Sequence, residues 1–153
     1  MTKTRQRPFS GPLSGLFFCM IGPKGAVTMY QQYNPNPTGK NVGDCTVRAI
    51  AKATGKDWGE TYLNLAVQGY LMGDMPSANA CWGAYLRKLG FVRKILPDTC
   101  PECYTLRDFA KEYDRGTYIV ALSGHVVCVK DGTIWDSWDS GGEVPLYFWV
   151  KED

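Results

Sequence analysis

The chain has 153 residues, 44% of them hydrophobic and 21% charged. A single domain of this size buries roughly 70% of the surface its unfolded chain exposes, and so apolar a composition excludes a disordered polyelectrolyte. The net charge of +2 comes from residues 1–28, where Lys3, Arg5, Arg7 and Lys24 stand without an acid; the remainder carries −2 and shows no basic patch interleaved with aromatics, which argues against nucleic acid as a partner.

Residues 13–21 are apolar but far too short to span a bilayer, so no membrane partner is expected. With basic residues before it, the stretch imitates a signal peptide, although Lys24 would occupy the −3 position if Ala26 were −1. Residues 24–29 can also be encoded as a bacterial ribosome-binding site ahead of Met29. Three readings of residues 1–28 stay open: an over-long start, a flexible arm, and an export segment. The domain itself is placed at 29–153, with 1–28 as an extension. Cys19, Cys45, Cys81, Cys100, Cys103 and Cys128 do not read as a secreted scaffold, because a chain this long needs no staples. A reducing cytoplasm is the expected setting.

Residues 33–39 hold two prolines and a glycine and predict a turn-rich loop. Asp44 is placed to cap a helix over 45–54, with Ala49, Ile50 and Ala53 on one face and Gly55 as its stop. Asp57 and Glu60 resemble a capping box opening a second helix to about residue 71. Ser77 is expected to cap a third helix over 78–89, ended by Gly90. A strand is expected at 91–96, a loop at 97–103, and a short helix from Thr105 to about Tyr113. After Gly116 the pattern turns to strands at 117–122, 125–130, 133–137 and 146–151, with Asp139 to Gly142 connecting the last two. Helices first and a mostly antiparallel sheet second predicts an α+β fold.

Asp131-Gly132 between two β-rich runs signals a two-residue hairpin turn. That register opposes Lys130 with Thr133, Cys128 with Trp135, Val127 with Asp136 and His125 with Trp138. His125, Val127, Ile134, Asp136 and Trp138 then share one face, and His125 and Asp136 become diagonal neighbours within side-chain reach. A turn one residue longer would break this pairing. His125 is the only histidine in the chain. Cys45 falls in the first turn of its helix, where unpaired N–H groups favour thiolate and can receive an oxyanion. Taken singly, Cys45 reads as a packed thiol, His125 as a structural histidine and Asp136 as a turn cap. In this order, a thiol, an imidazole and a carboxylate are what a cysteine nucleophile requires.

Gly43-Asp44-Cys45-Thr46 entering a helix resembles the nucleophile turn of papain-like cysteine peptidases. Gly124-His125-Val126-Val127 resembles their base strand, and Asp136-Ser137-Trp138 their Asn-Ser-Trp segment with Asp in place of Asn. The resemblance covers three short motifs, and with its short span from Cys45 to His125 the chain is similar to small bacterial and phage members. It implies a papain-like fold with Cys45 as nucleophile, His125 as base, Asp136 as orienter and Trp138 as a shield over the His–Asp bond. It also implies a protein or peptide substrate. The family's oxyanion glutamine is missing, since Gly39 stands six positions before Cys45; Asn36 and Asn41 are the candidate substitutes.

Cys100-Pro101-Glu102-Cys103 stays open between half of a zinc site, a redox pair and a loop with two incidental thiols. No metal or organic cofactor is implied. The expected activity is hydrolysis of an amide, peptide or isopeptide-type bond through a thioacyl intermediate. The alternatives are a transglutaminase-like acyltransferase on the same scaffold, or an inert binding or inhibitor module that keeps the fold. Likeness of fold names no substrate.

Overall fold

The late strands are apolar on both pleated faces, so the sheet they form has to be covered twice. The structure, a computed structural model, describes residues 20–21, 27–96 and 104–152. Their order is β1 (Met20–Ile21), β2 (Val27–Thr28), β3 (Tyr30–Gln32), α1 (Cys45–Thr54), α2 (Trp58–Met72), α3 (Asn79–Lys88), β4 (Phe91–Ile95), α4 (Leu106–Glu112), β5 (Thr117–Leu122), β6 (His125–Lys130), β7 (Thr133–Asp136) and β8 (Tyr147–Lys151). β1 and β2 form a small antiparallel ribbon. The other strands make one six-stranded sheet in the order β3-β7-β6-β5-β8-β4. Every neighbour pair in it is antiparallel except β3 with β7.

Alternation along the strands divides the core in two. Ile119, Ala121, Val126, Cys128 and Trp149 pack with Ile50 of α1, Leu65 of α2 and Trp82 and Leu86 of α3. On the reverse face Val120, Leu122, Val127, Val129, Ile134 and Phe148 pack with Leu106 and Phe109 of α4. Three layers result, with the sheet between α1–α3 and α4.

The fold is therefore mixed α+β, with four helices and a mostly antiparallel sheet among the described residues. The expected order of N-terminal helices followed by strands needs correcting. β3 precedes α1, and β4 separates α3 from α4. Tyr30-Gln31-Gln32 has too little apolar alternation to signal a strand; it becomes one by adding in parallel to the edge of β7.

Local signals account for most boundaries. The Asp57 carboxylate accepts from the Glu60 N–H at 2.7 Å and starts α2, and Gly73 ends it at φ +65. Thr105 and Asp108 form a reciprocal capping box on α4. Ser77 does not cap α3, which begins at Asn79 with Ala78 in the cap position and no side-chain cap bond. Met75 to Ala78 instead closes as a turn, Ala78 N–H to Met75 C=O at 2.9 Å, with Pro76 at its second position. Asp131 and Gly132 adopt φ +49 and +71, the left-handed pair of a type I′ turn. The ladder they set matches Lys130 with Thr133, Val129 with Ile134 and Cys128 with Trp135.

No described helix is long and apolar enough to cross a membrane. Cys19 and the Cys100/Cys103 pair lie outside the described residues, as does the apolar stretch at 13–21 apart from Met20 and Ile21.

Candidate functional site

α1 begins at Cys45, directly after the bend at Gly43. Asp44 occupies the cap position but its side chain does not cap the helix. It binds the Arg48 guanidinium one turn on and accepts from the indole Nε1–H of Trp58 at 2.8 Å. A charge-assisted bond outcompetes a neutral backbone donor for the same carboxylate. The first N–H groups of α1 are thus left without a side-chain acceptor, beside the sulfur that begins the helix.

His125 opens β6 and Asp136 closes β7. The β6–β7 ladder stops at Cys128–Trp135, so the expected pairs Val127–Asp136 and His125–Trp138 are not part of it. Asp136 is the next residue of β7, and His125 lies three positions further along β6. Asp136 is held from the other side, where its C=O accepts from the Tyr33 N–H at 2.7 Å. His125 Nε2 lies 2.6 Å from Asp136 Oδ2. The same oxygen accepts from the Ser140 hydroxyl at 2.7 Å, while Oδ1 accepts from the Ser137 N–H at 2.7 Å and from Arg48 Nη2 at 3.3 Å.

With only 1% of its surface exposed, Asp136 would by burial alone resist ionisation. The hydrogen bonds from His125 and Ser140, the His125 charge and the Ser137 N–H reverse that and hold it below its ordinary value. A carboxylate can only accept, so Nε2 carries a proton and Nδ1 is the ring nitrogen free to exchange one.

Cys45 and His125 shift toward each other. Burial pushes the thiol up, but hydrogen bonds with the His125 ring and the Val126 N–H, and the charges of His125 and Arg48, outweigh it and leave the pKa lowered. Burial disfavours the imidazolium, yet hydrogen bonds with Asp136 and Cys45 and their negative charges raise His125 to about 9. Both shifts favour thiolate beside imidazolium over the neutral pair.

These groups line an open cleft of about 780 Å³. Trp82, Leu122, Leu146 and Tyr147 give it an apolar wall, and Asn41, Ser77 and Asn79 a polar one. Arg48 and His125 are the basic side chains among its described lining, and no carboxylate is among them. The Trp138 ring sits 5.2 Å from the His125 ring, centroid to centroid, and is 46% exposed at the cleft mouth.

Of the two asparagines proposed for an oxyanion, Asn41 lines the cleft and Asn36 does not. Asn36 Oδ1 accepts from the N–H and the hydroxyl of Thr38 at 2.9 and 2.8 Å, so its side chain shapes the 36–39 turn instead.

No family model, curated protein or solved structure matches the chain.

The structure adds four residues to the site. Asp44, at the cap position of α1, and Arg48, within it, are buried and spaced i to i+4; a charged pair at the start of a short apolar helix is the available signal. Ser140 is buried in the loop after β7 and carried no sequence signal beyond being a turn residue. Asn79 accepts from Trp82 Nε1–H at 3.1 Å through Oδ1, which leaves its amide N–H groups for the cleft. In the sequence, residues 74–79 read equally as a wall of a substrate cleft and as a loop with a helix cap; Ser77 and Asn79 line the cleft.

Proposed function

We propose that this chain is a papain-like thiol hydrolase acting on an amide, peptide or isopeptide-type bond. The observation that carries the reading is an imidazole clamped 2.6 Å from a buried carboxylate and lining one cleft with a thiol at a helix start. Each member suits the chemistry: a thiol with a lowered pKa, a ring whose tautomer is fixed, and open helix N–H groups beside the sulfur.

The Cys45 thiolate adds to the substrate carbonyl, and the developing oxyanion takes the first N–H groups of α1 with Asn41 or Asn79. As the C–N bond breaks, the imidazolium gives the Nδ1 proton to the leaving amine. Water then attacks the thioester while Nδ1 accepts its proton. Collapse releases the acid, and the thiolate and imidazolium return. The cleft, apolar on one wall and uncharged on the other, suits a peptide better than a charged metabolite. The thiols of Cys45, Cys81 and Cys128 are free.

The test is iodoacetamide alkylation of Cys45 as a function of pH, read by intact mass and peptide mapping, for the wild type and His125→Ala. Rapid labelling at pH 6 that drops about tenfold or more in the variant supports the reading, each pKa unit being a factor of ten. Equal, slow labelling in both would remove it. Added amine appearing in the product in place of water would reassign the activity to acyl transfer.

A further inference from the structure

A buried arginine is the least expected member of this core. Arg48 is 6% exposed and sits between two buried carboxylates, bound to Asp44 on its own helix and to Asp136 Oδ1 at the end of β7, 3.3 Å away. Asp44 is fixed in turn by the Trp58 indole, 2.8 Å away at the start of α2. The chain of contacts therefore runs Trp58, Asp44, Arg48, Asp136, His125 and joins α2, α1, β7 and β6.

Replacing a buried ionic cluster by apolar groups is often neutral or stabilising, so stability alone is a weak reason for this one. Its location gives a better reason. Asp44 immediately precedes the nucleophile candidate, and Asp136 stands directly behind the ring. A guanidinium is a planar fork with donors enough for two carboxylates, which an ammonium is not.

We propose that Arg48 is a positioning residue that ties the start of α1 to the carboxylate behind His125, fixing the thiol against the ring and favouring its ionised form. This deepens the thiol-hydrolase reading and rests on it. By occupying Oδ1, Arg48 turns Oδ2 toward the histidine. By engaging Asp44, it keeps that carboxylate off the helix N-terminus, where it would compete with a thiolate or an oxyanion for the same N–H groups.

The charged groups around the sulfur are few. His125 faces it from β6 and Arg48 from α1, with Asp44 and Asp136 on the far side of Arg48 and of the ring. Asn79 and Trp82 of α3 and Tyr147 of β8 bring no charge to the cleft. Loss of Arg48 is thus loss of one of two cations acting on Cys45.

The experiment compares iodoacetamide alkylation rates at pH 6 and pH 10 in the wild type, Arg48→Met and Arg48→Lys. At pH 10 the thiol is ionised in every variant, so the ratio of the two rates reports the thiolate population and cancels general loosening. The expected result is a pH 6 to pH 10 ratio about tenfold lower in Arg48→Met, with Arg48→Lys recovering part of it. If Arg48→Met alone does not fold, Arg48→Met with Asp44→Asn removes cation and anion together, and the same ratio is read. A folded variant whose ratio stays within about twofold of the wild type overturns the proposal. This failure is distinct from failure of the hydrolase reading: where only the role of Arg48 is wrong, His125→Ala still lowers labelling at pH 6, and where the Cys–His couple itself is absent, His125→Ala labels as slowly as the wild type.

Discussion

Ser140 donates its hydroxyl to Asp136 Oδ2, the oxygen that also accepts from His125 Nε2, at 2.7 and 2.6 Å. The loop that carries Ser140 is anchored on the first turn of α4. There the Leu106 N–H reaches Glu143 C=O at 2.8 Å and the Arg107 N–H reaches Gly141 C=O at 3.0 Å. Arg107 also pairs with Asp139 at 2.7 Å. Helix N–H groups that would otherwise lack partners are satisfied by this loop, so the capping of α4 and the bracing of Asp136 are one arrangement.

Ser140→Ala is expected to lower stability by about 1–3 kcal/mol, the cost of leaving a buried acceptor short of a donor. Asp136 has a lowered pKa, so its contribution to stability is present above the ordinary carboxylate range and is lost as pH falls through the folded-state value. With one donor gone that loss begins at higher pH. Urea midpoints at pH 7 and pH 4 check this: the gap between wild type and variant changes with pH, and a constant gap would mean that Ser140 acts by packing alone.

Asp136→Asn leaves the shape and removes the charge behind the ring. The His125 pKa should fall from about 9 toward its ordinary value near 6.5. Because the chain has a single histidine, its ring C–H resonance can be titrated by NMR without assignment. For an acyl substrate, kcat/KM is expected to drop roughly 10²–10⁴-fold, the scale of losing the group that orients a general base.

The pH profile of kcat/KM is expected to be a bell. Its acid limb follows ionisation of Cys45 and lies below the usual thiol range; its basic limb follows loss of the imidazolium proton near pH 9. Alkylation differs, because it needs only the thiolate and keeps rising or levels off above pH 9. A hydrolysis profile without the basic limb would show that the ring does not protonate the leaving group.

The cleft asparagines separate from the turn asparagine. Asn41→Ala with Asn79→Ala is expected to lower kcat/KM by about 10²-fold with little change in thiol alkylation, as for loss of an oxyanion donor. Asn36→Ala is expected to cost about 1 kcal/mol of stability through the 36–39 turn and to leave kcat/KM within about twofold. Steady-state kinetics beside thermal melts decide between these outcomes.

Part of this site could be read along the chain, because some of its steps are local. Asp131-Gly132 forces a two-residue turn, and the turn forces the register of residues 128–130 with 133–135. The ladder ends there, so the His125–Asp136 contact lies beyond it. Val127 and Ile134, expected on the same face, pack against α4, while Cys45 packs on the opposite side of the sheet. The bounds of α1 follow from a bend, an apolar face and Gly55 at φ +72. The same local reasoning failed at Asp44, whose carboxylate was assigned to the helix cap. A residue 14 positions away, Trp58, and the inward turn of Arg48 offered it stronger partners. It failed at Ser77 as well, where Pro76 holds the preceding turn and delays α3.

The sequence by itself determined the four helices, the strands after α3, the hairpin turn with the pairs next to it, and the order of thiol, imidazole and carboxylate, since capping, periodicity and turn chemistry act over a few residues. Only the tertiary structure decided that β3 adds in parallel to β7, that Arg48 spans 88 positions to reach Asp136, and that Ser140 folds back beneath it. A buried carboxylate takes whichever donors the packed layers bring within about 3 Å, and no pattern along one strand or helix records which those will be.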